Sequence, residues 1–209
     1  MSRGFALAKK LARINFESGM KTVEPPKMAL EGAQVWPMSV AAYRSLGEAG
    51  FIPKNSELLY GIIYKKISKS PPHSAIVRRL LKLLQGVSLP GRFVSSEQPI
   101  TCADSELEPD ISIVRGSEED FWDEHPRTAE LVIEVCVTSH EFDRLKLGAY
   151  ANAKVKECWV VVVPERKIEV YRQPKGGRFG EPKLFGPGGQ LKCEAVPEFV
   201  LNLDKLFAK

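Results

Sequence analysis

Cysteine is scarce in this chain and poorly spaced for metal or disulfide work. Of 209 residues only Cys102, Cys136, Cys158 and Cys193 are cysteine, and no two form a CxxC pair. The common zinc arrangements are thereby excluded. Cys136 and Cys158 fall in apolar strand-like runs and read as small hydrophobes. Such usage fits a reducing compartment, so a cytoplasmic location is expected. No apolar run approaches the ~20 residues of a membrane span, so no membrane partner is expected. The N-terminus lacks a continuous apolar segment followed by a small-residue cleavage site, which argues against a secretory signal. There is no internal repeat. Neither sign of charge dominates, the formal balance being +4.

What is present suits one α/β domain with a tail. Hydrophobic residues make up 44% of the chain, enough for a full core. Residues 1–37 carry six basic and three acidic residues and read as a basic extension, with a short amphipathic helix spanning Phe5 to Phe16. Residues 38–209 form the expected domain. Charge inside it is segregated: residues 65–96 hold seven Lys or Arg and no acid, and residues 97–141 hold thirteen Asp or Glu. A basic segment beside an acidic one suits a protein that grips phosphates with one surface and cations with another. Solvated helix faces and loops that happen to segregate are the alternative.

Local patterns place the elements. Ser39 caps a helix that stops near Gly47–Gly50. Glu57-Leu-Leu-Tyr-Gly-Ile-Ile-Tyr reads as a strand pair turning at Gly61. After Pro71 and Pro72, residues 73–86 show helical apolar spacing, with Arg78, Arg79 and Lys82 on the other face. Phe93–Ile100 and Pro109–Val114 read as strands, followed by an acidic loop over 115–128 with one helical turn. Leu131–Val137 has the apolar, β-branched character of an interior strand. A helix over 141–153, a hairpin of Glu157–Val163 with Lys167–Tyr171, a Gly/Pro-rich stretch over 174–190 and a short helix near 203–207 complete the chain. The expected fold is a mixed β-sheet flanked by helices, in the α/β (α+β) class.

Two short strings carry the chemistry. Glu-Pro-Asp-Ile-Ser-Ile-Val at 108–114 and Glu-Leu-Val-Ile-Glu-Val at 130–135 each place a carboxylate in or beside a buried strand. Such a group costs several kcal/mol unless it is paired or binds a metal. If Asp110 and Glu134 face each other across adjacent strands, they can chelate one Mg²⁺ or Mn²⁺, with the carbonyl of Val135 as a third ligand. Strand-end carboxylates in salt bridges are the alternative. Asp143, Lys146 and Tyr150 are spaced by three and four and share a helix face. Lys146 could orient a water or neutralise developing charge; on spacing alone an ordinary exposed ion pair is the favoured reading. Glu57 is a candidate third carboxylate, and His73 a candidate phosphate contact. His125 and His140 belong to no constellation. Trp36 and Trp159 read as core or near-core, and Phe121 and Trp122 as packing under the acidic loop or as base-stacking groups.

The order Glu57-Leu-Leu-Tyr-Gly, His73, Pro109-Asp110, Glu134-Val, Asp143, Lys146, Tyr150 and Glu157-Cys-Trp-Val-Val-Val resembles the Uma-two family of restriction endonucleases, from about Ser39 to Phe207. That family lies in the PD-(D/E)XK nuclease superfamily. The resemblance implies a restriction-endonuclease-like sheet flanked by helices and a metal-dependent endonuclease acting on DNA. It makes Asp110 and Glu134 metal ligands, Lys146 the catalytic lysine moved onto a helix, Glu57 the first acid of the pattern and His73 the family histidine. The 65–92 segment, especially Arg78, Arg79 and Lys82, is then expected to touch the DNA backbone without reading sequence, and a homodimer would suit double-strand cutting. The chain departs from the pattern at Cys136, where the superfamily lysine usually stands, and at Val137. A catalytically degenerate nucleic-acid binder of the same fold, or a hydrolase of another phosphate ester, therefore stands beside the nuclease reading.

Overall fold

The structure is a computed structural model that describes residues 36–138 and 140–208. The helix expected between Phe5 and Phe16, and most of the basic extension, lie outside them.

A hairpin sets the first corner. β1 (Ser56–Leu59) and β2 (Ile62–Lys65) pair antiparallel around Tyr60 and Gly61, both with positive φ (52° and 73°). This is the two-residue turn that matches strand twist. A Cβ at Gly61 would stand 2.5 Å from Cβ of Pro37, so glycine is required for contact as well as for φ. Just upstream, α1 (Val40–Glu48) starts at Ser39, whose Oγ accepts from the amide of Ala42, as its sequence indicated. Downstream, Ser70 caps α2 (Pro71–Gln85), so the two prolines occupy the first turn instead of preceding it. Proline is tolerated there because the first-turn amides have no helical acceptor.

The expected strand Phe93–Ile100 is two strands in two sheets, β3 (Arg92–Ser95) and β4 (Ile100–Thr101). The chain turns between them through Glu97, with φ of 57°, and Pro99. The short β5 (Glu106–Leu107) pairs with β4 and β1 and completes a four-stranded sheet, β2-β1-β5-β4. Then come β6 (Ile111–Arg115), a 3-10 turn at Glu118–Phe121, β7 (Leu131–Cys136), α3 (His140–Asn152), β8 (Glu157–Val162) and β9 (Lys167–Arg172). The Gly/Pro-rich stretch hides a further strand, β10 (Lys183–Phe185). A six-stranded sheet follows, ordered β10-β9-β8-β7-β6-β3. Its β7–β8 pair is parallel and its other pairs antiparallel, so the sheet is mixed as expected. The parallel pair needs a crossover, and α3 supplies it.

Each face of this sheet buries its own core. On one side Ile111, Ile113, Ile133, Trp159 and Val161 meet Ile76, Leu80 and Leu84 of α2. The hairpin β11 (Gln190–Lys192) with β12 (Val200–Asn202) and the terminal helix α4 (Leu203–Phe207) close the same side. On the other side Val132, Cys136, Cys158 and Val160 meet α3 and the four-stranded sheet. A second small sheet thus shares that face with a helix. Gly148 permits the contact: a Cβ there would lie 2.3 Å from the hydroxyl of Tyr60, which donates to the carbonyl of Leu145 at 3.0 Å. All four cysteines are buried and none forms a disulfide.

Three expectations need correction. Trp36 is 95% exposed and Trp122 is 88% exposed, so neither is a packing residue; Phe121 alone packs under the loop, against Phe93. Trp159 is buried and stacks on Phe199. Arg79 is not free to meet a ligand. Its guanidinium donates to the carbonyls of Leu206 (2.9 Å) and Ala208 at the end of α4, where carbonyls lack helical partners. Arg79→Ala should cost about 1 kcal/mol, seen by calorimetry as a Tm lower by about 2–4 °C. An unchanged Tm would show that water caps α4 equally well.

Candidate active site

The β6–β7 register brings the two motif carboxylates together. Ile111 pairs with Ile133 in an antiparallel ladder. One step further, position 110 falls opposite position 134, and alternation puts both side chains on the α3 face. Asp110 lies just past the ladder's end, where Val135 has no β6 partner. Asp110 Oδ2 accepts from the Val135 amide at 2.8 Å instead. A residue's N–H and C=O leave a strand on the same edge, so the Val135 carbonyl points toward the side on which Asp110 sits.

His73, in the first turn of α2, reaches the same oxygen: its Nε2 donates to Asp110 Oδ2 at 3.1 Å. His73 Nδ1 is buried with no hydrogen-bond partner. Burial works against ionisation of Asp110, but His73, the Val135 amide and Lys69 outweigh it and hold the carboxyl below its ordinary value. Glu134 is the opposite case. Its burial raises the carboxyl to about 8; Lys146 and the Tyr150 hydroxyl pull it down, and Asp110 and Asp143 push it up. The two carboxyls are therefore pushed in opposite directions, Asp110 toward ionisation and Glu134 toward keeping its proton.

Helix α3 presents its motif to Glu134. Tyr150 donates to Glu134 Oε1 at 2.6 Å, and Lys146 Nζ lies 3.5 Å from the same atom. Lys146 Nζ is also 3.2 Å from Glu57 Oε1 and 3.9 Å from Asp143 Oδ1. Helical spacing put these residues on one face, and that face is buried: Asp143 is 7% exposed and Lys146 5%. The reading of an exposed ion pair is thus replaced by a buried one. Burial opposes the charge on Lys146, yet Glu134, Glu57 and Asp143 together hold its pKa well above the ordinary value. Lys146 is a fixed cation.

A cavity of about 140 Å³ opens on this cluster, lined by Glu57, His73, Asp110, Glu134, Asp143 and Lys146. Lys66, Lys69, Glu97 and Glu108 line its mouth. Lys66 and Lys69 belong to the 65–92 segment expected to meet the DNA backbone, though neither was a named candidate, and Glu97 and Glu108 were not candidates. The one available signal was that Lys66 and Lys69 precede the double proline, at the end of α2 that also carries His73. Arg78 and Lys82 do not line the cavity; they are exposed on α2, roughly 8 and 14 Å along the axis beyond His73. His125 is exposed as well, and the side chain of His140 is outside what the structure describes.

Glu157 offers a contrast on the neighbouring strand. It is 1% exposed and fully engaged by Arg172 (3.0 Å), Trp159 Nε1 (2.7 Å) and the amides of Glu194 and Ala195 (2.8 and 3.0 Å). That carboxylate ties β8 to the loop before β12. Glu134, with a phenol and a shared lysine, is not matched in this way.

The family Uma2, described as "Putative restriction endonuclease", matches residues 52–204. The chain belongs to that family. A solved structure described as a putative nuclease belonging to DUF820, from Anabaena variabilis ATCC 29413, superimposes with a TM-score of 0.67 at 20% identity. The alignment covers 82% of this chain and 98% of that one, and at this identity it shows a shared fold. A search of curated proteins finds no match. The Uma2 match covers both motif strands and all of α3, so the cavity lies within the family's own region. This is a nuclease family, and the class of activity is hydrolysis. No described helix is long and apolar enough to cross a membrane.

Proposed function

We propose that the protein is a divalent-metal-dependent endonuclease that hydrolyses phosphodiester bonds in DNA at this cavity. The observation that carries the reading is the placement of Asp110 and Glu134 at paired positions on one sheet face, with the buried Lys146 ammonium 3.5 Å from Glu134. Among the described residues no three His, Cys, Asp or Glu side chains converge as a ready-made metal cage. Magnesium does not need one: it is commonly held by one or two carboxylates and keeps several waters. The donors here are oxygens, from Asp110, Glu134 and the Val135 carbonyl, which suits Mg²⁺ or Mn²⁺ and not zinc. The unmatched buried carboxyl of Glu134 is a further sign of fit, since a cation can take the place of its proton.

A divalent cation held by Asp110, Glu134 and the Val135 carbonyl would neutralise charge on the phosphoryl oxygens and lower the pKa of a bound water. The chain's own residues do the rest. His73 and the Val135 amide fix Asp110 in its ionised form. Tyr150 orients Glu134. Glu57 and Asp143 hold Lys146 in place and charged, so its ammonium stands where negative charge grows in the transition state. Lys146 arrives from α3 and answers the departure at Cys136, where a strand lysine is absent.

Supercoiled plasmid, incubated with the full-length protein and Mg²⁺ or Mn²⁺, should be nicked or linearised, and EDTA should abolish the cleavage. A folded protein that binds plasmid without cutting it under any divalent ion would instead identify the non-catalytic binder. Cleavage of small phosphodiesters but not of plasmid would indicate a hydrolase of another ester.

A further inference from the structure

Six carboxylates and three lysines line the cavity, a poor electrostatic environment for a polyanion. Lys146 is buried and committed to Glu57, Glu134 and Asp143. The remaining two lysines lie at the mouth, on the segment between β2 and α2, and both are partly exposed: Lys66 27% and Lys69 38% by side chain. Each is held by a carboxylate that also lines the mouth. Lys66 pairs with Glu108, and Lys69 lies 2.6 Å from Glu97 and 3.5 Å from Asp110. Glu97 is 52% exposed by side chain and sits on a left-handed backbone turn, φ 57°. Glu108 stands two residues before Asp110.

A carboxylate on an ammonium presents two oxygens much as a phosphodiester does. We propose that Lys66 and Lys69 are the phosphate-positioning residues of this site, and that Glu108 and Glu97 occupy the phosphate places until substrate displaces them. The proposal rests on the nuclease reading above and specifies which cations of the basic segment meet the backbone. Partly exposed ion pairs such as these exchange at lower cost than buried ones, so the mouth can open without disturbing the buried cluster behind it. Lys69 also links the clamp to the site: drawn toward a phosphate, it places that phosphate beside Asp110.

The test is the anisotropy of a short fluorescein-labelled DNA duplex, titrated with the full-length protein in EDTA over a range of salt. Lys66→Gln/Lys69→Gln should weaken binding and flatten the slope of log K against log salt by about 1.8, the counterion release of two phosphate contacts. Lys66→Arg/Lys69→Arg should keep the wild-type slope. Glu97→Gln/Glu108→Gln should bind several-fold more tightly than wild type, because the competing carboxylates are gone. Arg78→Ala/Lys82→Ala should leave the slope unchanged. All four pairs lie on partly or fully exposed side chains, and thermal melts confirm that each variant is folded. A wild-type slope in the glutamine-for-lysine variant overturns the clamp while DNA binding, and the nuclease reading with it, stands. Loss of slope in Arg78→Ala/Lys82→Ala instead also overturns it. A wild-type protein that binds no duplex in EDTA overturns the clamp, and plasmid cleavage with Mg²⁺ then decides the nuclease reading separately.

Discussion

Asp110→Asn and Glu134→Gln should each lower plasmid cleavage by about 10³-fold or more while the protein stays folded. The magnitude follows from the several kcal/mol of charge stabilisation that a catalytic metal supplies, each ~1.4 kcal/mol being a factor of ten in rate. Both substitutions keep side-chain size and remove the anionic ligand. Asn at position 110 retains an oxygen that can accept from the Val135 amide, so the ladder end stays satisfied. Gln at position 134 retains an oxygen for the Tyr150 hydroxyl. Loss of cleavage without a fall in Tm therefore reports on the site and not on folding. Cleavage at the wild-type rate in either variant, from protein free of contaminating nuclease, would remove that residue from the metal set.

The pairing of positions 110 and 134 was legible because both motifs sit in strands whose β-branched, apolar composition leaves little freedom of register. A one-residue slip would turn Ile111, Ile113 and Ile133 out of the core. The common face of Asp143, Lys146 and Tyr150 was legible for a similar reason, since helical spacing fixes it. Which way that face points was not. Spacing is local, and burial depends on the sheet that α3 crosses, so an ion pair that reads as exposed lies inside. Charge content had the same limit. The basic segment holds both the cavity lysines and Arg79, but composition cannot tell that Arg79 turns away to cap α4 while Lys66 and Lys69 turn inward. The break at Glu97 was hidden because a left-handed backbone at a glutamate leaves no mark in composition. The strand β10 was hidden because its three residues are embedded among glycines and prolines that signal turns.

Lys146→Met should be the most destabilising single change at the site, and its cost should depend on pH. Removing one partner of a buried charge cluster typically costs about 3–5 kcal/mol, and here Glu57, Glu134 and Asp143 would all lose their counter-ion. The sign of the pH effect follows from Glu134, whose carboxyl is raised from the ordinary 4.5 to about 8 by burial. Between those values the folded protein holds a proton that the unfolded chain has released, so stability falls as pH rises through this window. Methionine removes the lysine's pull and extends the window upward. The gap between Lys146→Met and wild type should therefore be wider in thermal melts at pH 9.5 than at pH 7, because below about pH 8 both proteins hold the Glu134 proton and lose stability in parallel, and above it only the variant still does. Glu134→Gln should behave in the opposite sense, flattening the decline of Tm between pH 5 and 8. The double variant Lys146→Met/Glu134→Gln should recover part of the loss, since one of the unpaired acids is gone and the two changes share a contact. Equal gaps at both pH values would mean that Lys146 acts through packing alone, and that the charge cluster on α3 is not what holds this end of the sheet together.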